Sequence, residues 1–310
     1  MTILQLEYFL AVVNHGGFSG AAEYCFATQP ALSRQISMLE EELGALLIDR
    51  TKRPIVLTDA GELFIDGAKQ TVEVFYMAKN RINDLKGDFQ GKLKVGIIPT
   101  ISPYLTPGFV AHFTKLCPNV KLDIIEMYTA DITDSLTRGL IDVAILSGGQ
   151  SEFRIKETEL FNDRLYLYVA RDNELYGRKS VEVNEIDVKK LLILSKGNCL
   201  RNQTLKLCQE RKKIELQYDF ISCSLETLMH TADNIDGMTI IPGMSIGYIP
   251  KDKYDQIIPF ESKRAFRKIT MAIGHTFVRE PLIAMVEKSV MDVRQELDVA
   301  EFLIHENIFV

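Results

Sequence analysis

From Leu4 to Val13 the apolar residues Leu6, Phe9, Leu10 and Val13 recur at the spacing of one helix face, and Gly16-Gly17 ends the run. Ser19 stands where it would cap a second short helix over Gly20 to Cys25, with Phe26-Ala27 as the following turn. A third helix opens at Thr28-Gln29-Pro30. Thr28 is its cap, and Pro30 lies in the first turn, where a missing N–H costs nothing. Leu32, Ile36 and Leu39 form its apolar face, while Gln29, Ser33, Arg34 and Ser37 form a polar one. Two short apolar runs, Leu46-Leu47-Ile48 and Ile55-Val56-Leu57, read as strands around a turn carrying Arg50, Lys52 and Arg53. Thr58 then caps a long helix from Asp59 to Leu85, with Leu63, Phe64, Val72, Phe75, Ile82 and Leu85 near heptad spacing. A helix this apolar needs a partner, either its own domain or a second copy of the chain. Gly87-Asp88-Phe89-Gln90-Gly91 supplies a flexible boundary.

Beyond Gly91 the pattern changes to short apolar runs alternating with helical stretches: LKVGII, KLDIIEM, VAIL, LYLYVA, LLIL, MTIIP and ITMAIG. That alternation predicts βαβ units, a mostly parallel sheet and an α/β class. Ligands of such sheets sit at the carboxyl ends of strands. Three segments fit that place: Pro99-Thr100-Ile101-Ser102, Tyr128-Thr129-Ala130 and Ser195-Lys196-Gly197-Asn198-Cys199. Ser102 reads as a helix cap.

Composition narrows the class. At 310 residues the chain is long enough for two or three compact units, and 46% hydrophobic with 25% charged residues is ordinary for a globular protein. No uncharged run approaches the ~20 residues of a membrane span. The first residues carry Glu7 within the apolar stretch and no basic run, so a secretory leader is not expected and the cytoplasm is. A net charge of −6 argues weakly against nucleic-acid binding, because its distribution matters more than its sum. Neither a Walker loop nor a Ser-His-Asp arrangement is legible; Gly96 to Thr100 is too short for a phosphate loop. Neither metal nor cofactor is expected, since His15, His112, His230, His275 and His305 are scattered and none pairs with a cysteine at ligand spacing. Glu40-Glu41-Glu42 reads as a solvated helix face.

Alone, the first helices describe a small bundle with a solvated polar face. The basic turn beside Arg34 changes that reading, because a helix reading base edges next to wing cations holding phosphates is how a winged helix-turn-helix meets DNA. Phe9, Gly17, Phe18, Ala21, Ala22, Gln29, Pro30, Ala31, Ser33, Gln35, Ile36, Leu39, Glu40, Leu43, Gly44, Leu47, Arg50, Arg53, Leu57, Thr58, Ala60 and Gly61 fall into one dense pattern. It resembles the N-terminal domain of LysR-type transcriptional regulators. The resemblance implies a winged helix-turn-helix over residues 1–58, a linker helix and hinge over 59–90, and a periplasmic-binding-protein-like regulatory domain over 91–310. That domain would comprise two α/β subdomains, residues 91–163 with 268–310 and residues 164–267. Thr28, Gln29, Pro30, Ser33, Arg34, Arg50, Lys52 and Arg53 would contact promoter DNA. It further implies a homodimer paired through the linker helices, a homotetramer, and RNA polymerase as a partner.

Cys199 and Cys208 are nine positions apart, too wide for a Cys-x-x-Cys dithiol, and no second pair completes a zinc site. Cys199 is expected where a strand ends and a helix begins, flanked by Lys196 and Arg201, and the helix N-terminus and both cations favour a reactive thiolate. Peroxide would oxidise it to a sulfenic acid that a second thiol can trap, with Cys208 the candidate. Cys25, Cys117 and Cys223 lack this setting and read as small apolar residues. Nine residues of helix span ~13 Å, against the ~7 Å limit for bridged Cα atoms. A disulfide therefore requires the segment to unwind. GNCLRNQTLKLC, IIPTISPYLTP at 97–107 and SLETL at 224–228 resemble the hydrogen-peroxide-sensing members of the same family. That resemblance implies Cys199 as peroxidatic residue, Cys208 as its disulfide partner, Thr100 and Thr129 beside the peroxide, and a basic neighbour at Arg267 or Lys268. Asn198 stands where those members commonly carry histidine, and it cannot titrate near neutral pH. Cellular thiol reductants would restore the thiols. Two other functions fit parts of the chain: a regulator answering to a small organic effector, which leaves the cysteine pair unexplained, and a thiol peroxidase, which leaves the first sixty residues unexplained.

Overall fold

The computed structural model describes residues 1–52, 54–148, 155–208, 224–262, 264–274 and 277–308, with side chains described to residue 298. The chain divides into two compact units, Met1–Lys86 and Gly87–Val310. Among the described residues no helix is long and apolar enough to cross a membrane.

In the first unit, α1 (Ile3–Asn14), α2 (Phe18–Tyr24) and α3 (Gln29–Leu43) precede β1 (Ile48–Asp49), β2 (Val56–Leu57) and the long α4 (Asp59–Asp84). Local chemistry sets these boundaries. Thr2 and Gln5 make a reciprocal capping box at the start of α1. Thr28 accepts from Ala31 N to open α3, and Thr58 accepts from Gly61 N to open α4. Gly44, at φ 67°, closes α3 in the left-handed conformation. Leu6, Phe9, Val12, Ala21, Leu32, Ile36, Leu39 and Leu47 are buried together as the core. Ser19 is not a cap: α2 begins two residues before the expected Gly20, Gly17 holds the cap position, and Phe18 packs against the core at the first helical turn. The Ser19 hydroxyl instead donates to Gln29 Oε1 at 3.3 Å. Strands β1 and β2 are two residues each, registered Ile48 to Leu57 and Asp49 to Val56. Gly61 explains the small residue after Thr58, because a Cβ there would lie 2.1 Å from Leu47 O. Helix α4 leans on its own domain through Phe64, Ala68 and Val72 and leaves Leu63, Val74, Phe75 and Ile82 exposed.

Among the described residues the second unit is built on an eight-stranded sheet in the order β4-β3-β5-β10-β6-β8-β7, with β9 pairing β6. Its strands are β3 (Gly91–Ile97), β4 (Val120–Glu126), β5 (Val143–Ser147), β6 (Ile155–Val169), β7 (Leu191–Leu192), β8 (Met238–Pro242), β9 (Ile257–Pro259) and β10 (Phe266–Gly274). Helices α5 (Ser102–Leu116), α6 (Thr129–Thr137), α7 (Cys199–Cys208), α8 (Leu225–Asn234) and α9 (Glu280–Ile308) connect and flank them. The sheet is mixed, which corrects the expectation of a mostly parallel one. Strand β3 runs parallel to β4 and β5, and β7 to β8, but β10 is antiparallel to β5 and β6, and β6 to β8 and β9. The antiparallel pairings centre on β6 and β10: β10 enters between β5 and β6 and runs against both, and the fifteen-residue β6 continues past it to pair β8 and β9 along Leu165–Val169, so one long antiparallel strand serves both halves of the sheet. Ser102 also differs from expectation: it lies inside α5, Ile101 holds the cap position without a side-chain bond, and the Ser102 hydroxyl meets that of Thr106.

Candidate functional site

Cys199 is the first residue of α7, delivered by a turn that only glycine accommodates. Gly197 adopts φ +97°, a backbone conformation that a residue with a Cβ rarely adopts. The Cys199 thiol is half-buried, with its sulfur 3.9 Å from Thr100 Oγ1. Thr100 comes from the carboxyl end of β3 and is itself buried. Its orientation is set by Arg267, whose Nη1 donates to Thr100 Oγ1 at 2.8 Å and Nη2 to Thr100 O at 3.1 Å. Arg267 Nε donates to Asp163 Oδ2 at 2.8 Å, and both side chains are 0% exposed. The sheet arranges this pair, because Arg267 on β10 stands directly opposite Asp163 on β6. Met244 N donates to the other Asp163 oxygen, so the carboxylate is held on both sides. A guanidinium has donors only, so the Thr100 oxygen accepts from Arg267 and its own proton is free for the sulfur or for a small ligand beside it. Lys268, the neighbouring cation, turns away to exposed Glu159.

A groove of about 610 Å³ opens beside the sulfur, lined by Thr129, Ala130, Thr133, Ser147, Gly148, Gly197, Cys199, Asn202, Gln203 and Lys206. Two of its residues carry buried polar atoms with no hydrogen-bond partner among the described residues, Thr129 Oγ1 and Gln203 Oε1. Gln203 donates from Nε2 to Ser147 Oγ at 2.8 Å, which turns its oxygen the other way. Sequence reading missed Gln203 and Ser147. Gln203 was open to discovery, because i and i+4 share a helix face and Gln203 lies four residues after Cys199. Ser147 was not, since nothing local in VAILS distinguishes its last residue.

Asn198 is buried but belongs to a second cavity, of about 260 Å³, shared with Thr100, Tyr104, Glu126, Tyr128, Leu194 and Glu226. Its Nδ2 donates to Ser195 Oγ at 3.2 Å, so the amide braces its own turn. There Tyr104 donates to Glu226 Oε1 at 2.8 Å; burial first, then the Glu226 charge, raises the phenol above its ordinary value. Arg201 donates to Leu194 O at 2.8 Å, fastening α7 to the segment before it. Cys208 ends α7 and is buried, as is Cys117, while Cys25 and Cys199 are half-buried. Burial and the Glu7 charge raise the Cys25 thiol. Cys223 and His275 lie outside the described residues, as do the His305 side chain and Arg53. Among the described residues no group of three or more His, Cys, Asp and Glu could hold a metal ion.

In the first unit, Thr28, Gln29, Pro30 and Arg34 are exposed at the start of α3, and Ser33 is half-buried. Glu40 is not on a solvated face. It is 4% exposed, accepts from Leu47 N and Ile48 N, and thereby ties the first strand of the wing to α3. Arg50 closes the same corner by donating to Ser33, Ser37 and Glu40, with its guanidinium 5.1 Å from the Phe18 ring. Lys52 is exposed beside Asp49.

Comparison with known proteins joins these features. Residues 3–62 match the bacterial regulatory helix-turn-helix protein model of the lysR family, and residues 86–284 match the LysR substrate binding domain. The chain is 32% identical over 258 residues to the DNA-binding transcriptional dual regulator OxyR of Escherichia coli K12, covering 83% of this chain and 84% of that one. A mutant OxyR from Corynebacterium glutamicum superposes with a TM-score of 0.77 at 26% identity, covering 97% of this chain and 94% of that one. A hydrogen peroxide-bound mutant of the same protein gives 0.69 at 26% identity with the same coverage. With both family models matched in chain order and OxyR relatives similar over most of its length, the chain belongs to the LysR family of transcriptional regulators, in its OxyR branch.

Proposed function

We propose that this chain is a cytoplasmic DNA-binding regulator that senses hydrogen peroxide at Cys199, forms a reversible Cys199–Cys208 disulfide, and so controls oxidative-stress genes. The observation that carries the reading is the meeting of the Cys199 sulfur with the Arg267-oriented Thr100 hydroxyl, beside a groove that holds the unpartnered oxygens of Thr129 and Gln203. Hydrogen peroxide has two O–H donors and accepting oxygens, and it fits those groups where an apolar effector would leave them unpaired. The Cys199 thiolate attacks one peroxide oxygen, the O–O bond breaks, and the departing hydroxide takes a proton to leave as water. The sulfur is then a sulfenic acid. Attack by the Cys208 thiolate on that sulfur expels a second hydroxide, which leaves as water, and closes the disulfide. Residues 199–208 are one helix, whose ends are ~13 Å apart at 1.5 Å per residue. Bridging requires α7 to unwind, and that rearrangement is the switch.

The same reading makes double-stranded promoter DNA the partner of α3 and the wing, and a second copy the partner of the exposed α4 face, giving a homodimer and then a homotetramer. RNA polymerase and cellular thiol reductants complete the set. The test is disulfide mapping after brief substoichiometric peroxide, with a promoter footprint on the same samples. Cys199→Ser is expected to bind DNA and lose the response. Cys208→Ser is expected to form the sulfenic acid without a lasting footprint change. Loss of the response in Cys117→Ser or Cys223→Ser but not in Cys199→Ser overturns the assignment of the nucleophile.

A further inference from the structure

Phe26 occupies the turn between α2 and α3 in a conformation that its side chain does not explain. Helix α2 ends on Tyr24, with Cys25 as its cap. Phe26 N donates to Glu23 O at 3.2 Å and Ala27 N to Ala22 O at 2.9 Å. This is the paired closing pattern whose left-handed position is ordinarily glycine. Phe26 holds that position at φ 51°, one of two non-glycine residues with positive φ among the described residues. The left-handed backbone disfavours a residue with a Cβ, and an aromatic one in particular. The ring recovers nothing within its own chain, because Phe26 is 99% exposed. Glycine or asparagine would make the same turn with less strain and less apolar surface in water.

Two further facts say what the ring is for. Thr28, which caps α3, lies two residues on, and exposed Gln29, Pro30 and Arg34 follow on the first turns of that helix. Ser19 of α2 reaches Gln29, so the starts of α2 and α3 form one continuous surface at this turn. On the proposed reading that surface faces the major groove, whose chief apolar feature is the thymine C5-methyl group. We infer that Phe26 is a specificity-determining residue that packs its ring on a thymine methyl at the edge of each half-site, the strained turn serving to project it past the end of the recognition helix. This rests on the DNA-binding reading and adds a base preference to it. A lone exposed aromatic is unremarkable on a protein surface; what assigns this one is its strained backbone at the mouth of a DNA-reading helix.

The probe is a duplex recovered from random sequence by selection with the full-length protein. Each thymine is replaced in turn by deoxyuracil, which deletes only the methyl group. The wild-type protein is expected to lose about fourfold in affinity at one position per half-site, the size of burying one methyl-sized group. Phe26→Asn is expected to bind the parent duplex about fourfold more weakly and to ignore deoxyuracil at that position, while its thermal midpoint rises because the left-handed turn is relieved. Phe26→Leu, which keeps an apolar side chain, is expected to retain part of the discrimination. If the wild-type protein binds the duplex but answers to no methyl, or if Phe26→Asn keeps the same methyl dependence, the inference falls and DNA binding stands. If Phe26→Asn leaves binding unchanged and lowers only transcription with purified polymerase, the ring faces a protein and the inference falls equally. Absence of any selected duplex is the separate failure of the DNA-binding reading.

Discussion

Arg50 and Arg267 each hold one carboxylate, and the contrast between them separates the two units. The Arg50 side chain is 38% exposed and the Arg267 side chain 0%. Arg50 gathers partners from within seventeen positions, Ser33, Ser37 and Glu40, all on one face of α3. Arg267 reaches Asp163 across 104 positions and Thr100 across 167. A half-exposed arginine remains accessible to a phosphate and is partly replaceable by water. A buried one is a fixed strut: its charge is useful because nothing else can reach it, and removing it leaves Asp163 uncompensated. The first unit thus builds its arginine corner locally and leaves it open, whereas the second assembles its arginine strut from distant strands and buries it.

The deepest break is Arg267→Met. It leaves a fully buried carboxylate without its cation, and the expected loss is about 3–5 kcal/mol in denaturant unfolding of the second unit. Adding Asp163→Asn removes the orphan charge yet keeps an oxygen for Met244 N, so most of that stability is expected to return. Thr100 remains unoriented in the double variant. Oxidation of Cys199 is therefore expected to stay slow, read by the rate of thiol loss under peroxide. Full recovery of that rate along with stability would make the arginine structural only.

In the open unit the tightest point is backbone. Gly61→Ala would put a Cβ 2.1 Å from Leu47 O and 2.9 Å from Leu57 Cδ2, and neither the strand carbonyl nor the helix can move alone. The expected cost is about 2–3 kcal/mol, as for overpacked cores, with weaker DNA binding because Arg50 and Lys52 lie between the displaced strands. A thermal melt of residues 1–86 in the full chain, with a binding isotherm, checks both.

Arg50→Ala is milder. Glu40 keeps its bonds from Leu47 N and Ile48 N, so the expected loss of stability is about 1 kcal/mol. Binding should fall alike on all sequences, and the salt dependence should flatten by about one phosphate contact if the guanidinium also meets DNA. An unchanged salt slope assigns Arg50 wholly to Ser33, Ser37 and Glu40.

The same contrast governs what the sequence disclosed. Helices α1, α3 and α4 and the caps Thr28 and Thr58 were legible, since their determinants lie within a turn or two of each other. Glu40 was misread because three consecutive glutamates resemble a solvated face, and only the returning strand reveals that one of them caps two of its N–H groups. In the second unit, the apolar half of β6, LYLYVA, was visible while its first half, KETELFNDR, was hidden by its charged and polar residues, one of which, Asp163, is buried. Three-residue β9 carries too little pattern to notice. Cys199, Thr100 and Thr129 were reached through strand ends and family resemblance. That Arg267 rather than Lys268 turns inward became clear only from the register of β10 against β6, because adjacent residues on a strand face opposite ways.

Asp233 tests the middle of the range. Its ion pair with Lys253 is partly covered, with side chains 22% and 23% exposed, so it lies between the Arg50 and Arg267 cases. Burial alone would raise the Asp233 carboxyl. Hydrogen bonds from Lys253 at 2.6 Å, Gln256 at 2.7 Å and Tyr168 at 2.9 Å outweigh burial and hold it below the ordinary value of 3.8. A carboxyl depressed by folding stabilises the native state above its unfolded pKa, and that contribution disappears as pH falls through the lower folded value. Asp233→Asn is therefore expected to cost about 1 kcal/mol or less at neutral pH and progressively less as pH drops below about 4. Wild type and variant should converge in acid, as read by urea midpoints from pH 7 downward. If the gap between them stays constant with pH, Asp233 acts through hydrogen bonds that a neutral amide cannot reproduce, and its charge contributes nothing. If the gap is much larger than 1 kcal/mol and closes in acid, a pair a fifth exposed already behaves like the sealed Arg267–Asp163 pair, and the boundary between open and sealed sites lies nearer the surface than the two arginines alone suggest.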